Sequence, residues 1–199
     1  MISCVLLAAG SSVRFGSAKA LATINQQTII ERLQEVLTQS AAEEIIVVLG
    51  DYADAIKPRL RKHKKIKVAF NENFNLGQTS SFQTGLKSVS AKASGIMLLP
   101  VDVPAIQVET INLLVKRFKA LKSKILIPVF NGKRGHPPIF NATLKNDILH
   151  MGSAIGLNQF IHQHESEIEL FPVDDPGVAW SFNTLEEFEQ LKAYFKFSP

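Results

Sequence analysis

Apolar residues fall along the chain in short runs, each followed by a turn and then by a stretch whose apolar positions recur every three or four residues. Continuous runs at residues 2–7, 44–49, 67–70, 95–100 and 125–130 predict strands. The spacing of Ile29, Ile30, Leu33, Val36 and Leu37 predicts a helix over residues 29–37, and Ile111, Leu114, Val115 and Phe118 mark another over residues 106–121. Residues 154–164 and 185–195 carry the same amphipathic spacing. Strand, turn and helix repeated in this order are the mark of βα units, so the expected fold is α/β with a mainly parallel sheet. The segment NGKRGHPPIF at residues 131–140 interrupts the rhythm. Asn-Gly marks a tight turn and Pro-Pro ends regular structure, which predicts an excursion beside the C-terminal edge of the sheet.

Composition changes this picture little. The 199 residues are 46% hydrophobic and 20% charged, enough for one domain with a substantial core, and no Pro- or Gly-rich linker divides them. The first apolar run is too short to span a membrane and lacks the basic segment that precedes a secretory core, so a cytoplasmic protein with no membrane partner is expected. The single cysteine, Cys4, lies inside that run and reads as a core thiol. The formal charge of +4 suits an anionic substrate. Part of it is concentrated in KPRLRKHKKIK at residues 57–67, which has no interleaved aromatics and no nucleic-acid module. That run reads as a solvated helix end and turn, with a docking surface for an acidic partner as the other reading, and nucleic acid is not an expected partner.

In open α/β sheets ligands bind outside the carboxyl ends of the strands, so the loops there are where chemistry is sought. The first such loop holds Ala8, Ala9, Gly10, Ser11 and Ser12, then Arg14, Gly16 and Lys19. Small side chains let backbone N–H groups approach phosphate oxygens, and the two cations can neutralise them. It is neither a Walker A loop nor GxGxxG. A second loop runs from Asn71 through Gly77 to Ser80 and Ser81 and reads as the N-terminal cap of a helix. A third carries Asp102 straight after the apolar run at residues 95–100. An unpaired carboxylate is costly at a buried strand end, whereas Mg²⁺ binds through one or two carboxylates plus substrate phosphates. A cap for the helix that follows is the plainer alternative. The fourth loop is GKRGHPPIF, in which His136 alone reads as a hydrogen-bonded turn histidine.

The run LAAG with Ser12, Arg14, Phe15, Gly16 and Lys19 resembles the signature of the molybdenum cofactor nucleotidyltransferases, on the cytidylyltransferase-like branch. The resemblance implies a Rossmann-like three-layer sandwich of the nucleotide-diphospho-sugar transferase type, with residues 1–104 as the nucleotide-binding half and residues 105–199 as the acceptor-binding half. It places the nucleoside triphosphate against Leu7, Ala8, Ala9, Gly10, Ser12, Arg14 and Lys19, with Asn71, Gly77, Ser80 and Ser81 at the base and ribose. It makes Arg14, Lys19 and Asp102 catalytic, gives Asp102 the metal, and turns Arg134, Gly135, His136 and Pro137 toward the acceptor. The reaction it implies is transfer of a nucleotide, CMP from CTP in preference to GMP from GTP, to molybdopterin or molybdenum cofactor. Pyrophosphate leaves, Mg²⁺ assists, and a molybdoenzyme or its chaperone is the implied recipient.

Two segments depart from that family's pattern. Where relatives carry Gly-Asp-x-Gly this chain has Ser153 in place of the aspartate, and where they carry Asp-x-Asp-Thr-Pro-Glu-Asp it reads Ser181, Phe182, Asn183, Thr184, Leu185, Glu186 and Glu187. The second metal ligand is thus expected at Ser181, where the carboxylate is missing. Neutral oxygens of Ser181 or Asn183 and the carboxylates of Asp174 and Asp175 are the possible substitutes. Thr184 with Glu187 keeps a capping box for the last helix. These losses motivate a rival reading, a protein that binds the pterin cofactor and delivers it without turnover.

Overall fold

The structure is a computed structural model and describes residues 1–120, 122–152 and 155–197. The first half runs β1 (Ile2–Ala8), β2 (Thr23–Ile24), β3 (Gln27–Thr28), α1 (Ile29–Gln39), β4 (Glu44–Leu49), α2 (Ala53–Ile56), β5 (Ile66–Phe70), α3 (Gln78–Ser88) and β6 (Gly95–Pro100). The second half runs α4 (Val108–Lys119), β7 (Ile125–Phe130), β8 (Lys133–Arg134), β9 (Ile139–Asn141), α5 (Lys145–His150), α6 (Leu157–Gln163), β10 (Ile168–Pro172) and α7 (Leu185–Phe197). The main sheet has the order β10-β7-β9-β6-β1-β4-β5, with β8 hairpinned onto β7. β1 pairs in parallel with both β4 and β6, and only β9 and β8 run against their neighbours. The Rossmann-like, mainly parallel sandwich implied by the sequence is therefore the observed fold.

The two faces of the sheet explain why its strands read as continuous apolar runs. Cys4, Leu6 and Ala8 of β1 pack with α1, α4 and α7 residues on one face, while Val5, Leu7 and Ala9 pack with α3, α5 and α6 residues on the other. A strand buried on both sides has no polar face to alternate with. Cys4 is fully buried, and burial pushes its thiol far above the ordinary range, as suits a core residue.

Several elements differ from expectation. The helix over residues 106–121 begins at Val108, and the one over residues 154–164 begins at Leu157, with Ala154 outside the described residues. β9 and β10 were not expected as strands: β9 is three residues long and β10 alternates weakly, so each depends on its sheet neighbour rather than on its own pattern. Asn131 and Gly132 take positive φ values of 48° and 77° and form the predicted tight turn between β7 and β8. No helix among the described residues is long and apolar enough to cross a membrane.

Strand order reverses at β1, since β4 and β5 lie on one side of it and β6 on the other. This is the switch point at which ligands of open α/β sheets bind, and the loops after β1 and β6 meet there. Val101 N donates to Leu7 O at 3.0 Å and joins the two loops at their base.

Candidate active site

The loop after β1 is held in shape from within. Ser12 adopts a positive φ of 50°, and its carbonyl accepts from Phe15 N at 2.9 Å and Gly16 N at 3.0 Å, while its hydroxyl accepts from Lys19 N at 3.4 Å. Phe15 is buried, edge-on to Phe182 at 5.2 Å and to Phe188 at 5.5 Å between ring centroids. Such aromatic contacts add to the burial term, so the loop is riveted to the start of α7. Its polar residues are left facing a cavity of about 530 Å³, within the range of small-molecule sites.

At the floor of the cavity four side chains converge. Lys19 Nζ donates to Asp102 Oδ2 at 3.1 Å and to Asn183 Oδ1 at 2.9 Å, and the same amide oxygen accepts from Arg14 Nη2 at 3.2 Å. The Lys19 ammonium also stands 5.3 Å from the centre of the Phe182 ring. Two cations thus face one carboxylate and one neutral oxygen, an arrangement with positive charge in excess and room for a polyanion.

The residues singled out from the sequence fall into three groups. Leu7, Ala8, Ala9, Gly10, Ser12, Arg14, Lys19, Gly77, Ser81 and Asp102 line the cavity. Asn71 and Ser80 do not: Asn71 is buried and donates to Ser80 Oγ and Ser81 Oγ, both at 3.0 Å, so it braces the wall from behind. The helix expected to start in this loop does start there, at Gln78. Gly77 takes the N-cap of α3 at φ 92° with no side chain capping it, a conformation a Cβ would strain.

The fourth loop stands apart from the cavity. Arg134 pairs with Glu165, and Gly135 packs so tightly on Val178 that a Cβ would come within 2.4 Å of its carbonyl oxygen. His136 donates its backbone N–H to Val178 O at 2.7 Å and precedes a cis bond to the buried Pro137. Its Nδ1 is buried without a partner. Burial pushes the imidazole below its ordinary range, outweighing the Asp102 charge and a backbone hydrogen bond with Leu98 that pull the other way, so His136 is held neutral.

Asp102 does not cap α4. That work falls to Asp175, which is buried and whose Oδ2 accepts from Gln107 N at 3.1 Å and Thr110 Oγ1 at 2.7 Å, while its Oδ1 accepts from Gly177 N at 2.8 Å. Asp175 is a structural clamp rather than a spare ligand on a surface turn. Ser181 is exposed, whereas Asn183 reaches the site, so the segment presents its oxygen two residues later than the family comparison implied. The capping box holds, with Glu187 N to Thr184 Oγ1 and Thr184 N to Glu187 Oε2 both at 3.2 Å. Ser153 lies outside the described residues.

The sequence reading missed Asn183 as the partner of both cations, and it missed Tyr52, Ile56, Phe74 and Asn75, which also line the cavity. A signal existed for this wall in Gly50, directly after the β4 run. A Cβ there would meet Ala9 O at 2.4 Å and Phe74 Cβ at 2.8 Å, so only glycine lets the two loops close on each other.

A model of the MobA-like NTP transferase domain matches residues 4–168. The chain belongs to that family. By family it is a nucleotidyltransferase, and curated relatives divide in name. A "Nicotine blue oxidoreductase" of Paenarthrobacter nicotinovorans is 27% identical over 194 residues, covering 94% of each chain. A "Probable molybdenum cofactor guanylyltransferase" of Bacillus anthracis is 27% identical over 135 residues, which is 65% of this chain and 62% of that protein. Among solved structures, Rv0371c of Mycobacterium tuberculosis H37Rv superposes with a TM-score of 0.84 at 23% identity over 96% of this chain and 97% of that one. The same protein solved as a complex with manganese gives 0.79 at 21% identity over 96% and 98%. At these identities the solved structures speak to the fold.

A divalent metal fits the residues at the cavity floor in a limited way. Among the described residues no group of three or more His, Cys, Asp or Glu could hold a metal ion. Asp102 Oδ2 and Asn183 Oδ1 nevertheless converge on one point, where the Lys19 ammonium now bridges them. One carboxylate and one amide oxygen suit a hard dication that completes its shell with phosphate oxygens and water.

Proposed function

We propose that the chain transfers CMP from CTP to the terminal phosphate of molybdopterin or molybdenum cofactor, with release of pyrophosphate. The observation that carries this reading is the convergence of Arg14, Lys19, Asp102 and Asn183 beneath the loop after β1. The oxygen of the acceptor phosphate attacks the α-phosphorus, the bond to the β-phosphate breaks, and pyrophosphate takes the electron pair. That nucleophile is already anionic, so no side chain need remove a proton, which agrees with a neutral, buried His136. Arg14 and Lys19 hold the triphosphate and offset charge gathering on the leaving group, work that preorganised cations do without reorganising. Leu7, Ala8, Ala9, Gly10 and Ser12 position the phosphates from the backbone side, and Gly77 and Ser81 border the nucleoside with Asn71 and Ser80 behind them, whereas Arg134, Gly135, His136 and Pro137, which the resemblance turns toward the acceptor, belong to a loop outside this cavity. Mg²⁺ on Asp102, with Asn183 as a neutral ligand, supplies charge neutralisation at the α-phosphate when bound. The manganese complex of the Mycobacterium tuberculosis protein supports a divalent ion in this fold.

Ala9 beside Gly10 and the GHP segment favour cytidine. The name of the Bacillus relative favours guanosine as the second reading. Pyrophosphate release with molybdopterin, Mg²⁺ and either CTP or GTP tests both, and label from CTP is expected to enter the pterin product faster than label from GTP. Binding of both substrates without pyrophosphate release would return the carrier reading, in which the cofactor is handed to a molybdoenzyme or its chaperone. Turnover of a redox substrate without pyrophosphate release would instead favour the chemistry named for the Paenarthrobacter relative.

A further inference from the structure

β5 is an edge strand, paired with β4 alone. Its register sets Val68 beside Val47 and Phe70 beside Leu49. Ile45 N donates to Lys65 O and Asn71 N to Leu49 O, both at 2.8 Å, so odd-numbered residues of this segment bond to β4. In a parallel ladder the intervening residues then turn their N–H and C=O groups outward. Those residues include Val68 and Phe70, whose side chains are also left 40% and 52% exposed, with Leu76 just beyond at 54%. The opposite edge also exposes an apolar side chain, Leu170 at 46%, but β10 ends in Pro172 and is bordered by the ion pairs Arg117 to Glu169 and Lys124 to Glu167. Unpaired backbone next to exposed apolar side chains is a template for another strand.

We infer that β5 pairs antiparallel with β5 of a second copy of this chain, about a twofold axis through Val68, and joins the two sheets into one. The outward residues suit themselves: Val68 meets its counterpart, and Phe70 of each copy meets Ile66 of the other, where Ile66 N already donates to His63 O at 2.9 Å and the Val68 and Phe70 N–H groups are the ones left to bridge the copies. Charge selects the antiparallel arrangement. Lys62 and Lys64 precede β5 and Glu72 follows it, and none of the three has an ion-pair partner among the described residues. Antiparallel pairing brings the basic turn of one copy beside Glu72 of the other. It also sets the two basic runs at opposite ends of the joint. With five residues per strand the spacing is about 17 Å, roughly twice the screening length at physiological salt. Parallel pairing would lay the runs side by side. The segment after Glu72 supplies Phe74, Asn75 and Gly77 to the cavity, so each copy's basic turn stands next to the other's nucleotide wall.

Sedimentation velocity on the full chain from about 1 to about 300 µM tests this. A joint this small predicts a dissociation constant on the order of 10 µM. The mass is expected to rise with concentration from 22.0 kDa toward twice that value. Val68→Pro removes an outward N–H and leaves the bonds to β4 intact, and it is expected to stay monomeric throughout. Glu72→Lys is expected to weaken association about tenfold, and Lys64→Glu added to it to restore most of the loss. A wild-type chain that stays monomeric overturns the inference, as does a folded Val68→Pro chain that still dimerises. If circular dichroism shows Val68→Pro unfolded, a Glu72→Lys chain that associates like wild type overturns it instead.

Discussion

Lys19→Met keeps most of the side-chain stem and removes the ammonium that ties the cavity floor together. In the structure Nζ lies 3.1 Å from Asp102 Oδ2, and the two side chains are 12% and 24% exposed. With an effective dielectric constant of about 20, unit charges at that separation attract by about 5 kcal/mol. Desolvation of both groups and residual solvent screening offset most of this, leaving a net coupling of about 1–2 kcal/mol. A double-mutant cycle with Asp102→Asn, read by urea unfolding of the four chains, should show that coupling, because each single variant leaves one partner uncompensated. In the transfer assay the same variants lose a preorganised electrostatic contact to the reacting phosphates, so each should fall about 10²- to 10³-fold in kcat/KM while staying folded. Lys19→Ala and Asp102→Ala should abolish measurable transfer. Strict additivity in the unfolding cycle would refute the ion pair, and near-normal transfer by folded Asp102→Asn would refute the metal assignment.

Asn183→Asp should tighten binding of Mg²⁺ or Mn²⁺ by about tenfold in titration calorimetry, whereas Ser181→Asp should leave it unchanged because Ser181 is exposed and away from the cations; the reverse order would restore Ser181 as the ligand position. His136 has a folded-state pKa below its ordinary 6.5, so protons bind the unfolded chain more readily and stability is lost as pH falls below about 6.5. The melting temperature should therefore drop between about pH 7.5 and about pH 5.5, and His136→Gln should flatten that part of the profile. Asp175→Ala releases Gln107 N, Thr110 Oγ1 and Gly177 N at once and should cost about 2–3 kcal/mol in urea unfolding; metal affinity unchanged beside that loss would fit a clamp, and stability unchanged would refute it.

The elements that were legible in the sequence are the ones that carry their own pattern. β1, β4, β6 and β7 are buried on both faces and read as unbroken apolar runs, and α1 opens on a capping box in which Thr28 and Glu31 bond reciprocally. β9 has three residues, follows Pro137 and Pro138, and exists because Met97 and Leu126 offer it ladders on either side. The start of α4 was misplaced because its cap comes from Asp175, about seventy residues away, rather than from the residues just before it. A local pattern cannot announce a cap delivered across the fold.

The site divides in the same way. Arg14 and Lys19 lie in the loop after β1 and Asp102 just past the end of β6, both recognisable strands, and the switch point that gathers those loops follows from strand order. Asn183 reaches them from the other end of the chain, and its reach depends on Phe182. That ring is buried against Phe15 and Phe188, and its backbone N–H donates to Asp102 O at 3.2 Å, which fixes the next residue beside the Asp102 carboxylate. The residue types alone put the missing carboxylate at Ser181 and left Ser181 and Asn183 open as neutral substitutes, whereas the packing of Phe182 selects position 183 whatever occupies it. The amide found there matters for the balance of the site. With an aspartate at 183, two carboxylates would offset Arg14 and Lys19 and leave a neutral floor that needs a dication before it can hold a triphosphate well. With Asn183 the floor keeps a net positive charge, so this chain should bind a nucleoside triphosphate before the metal and depend on the nucleotide's own phosphates to bring the metal in.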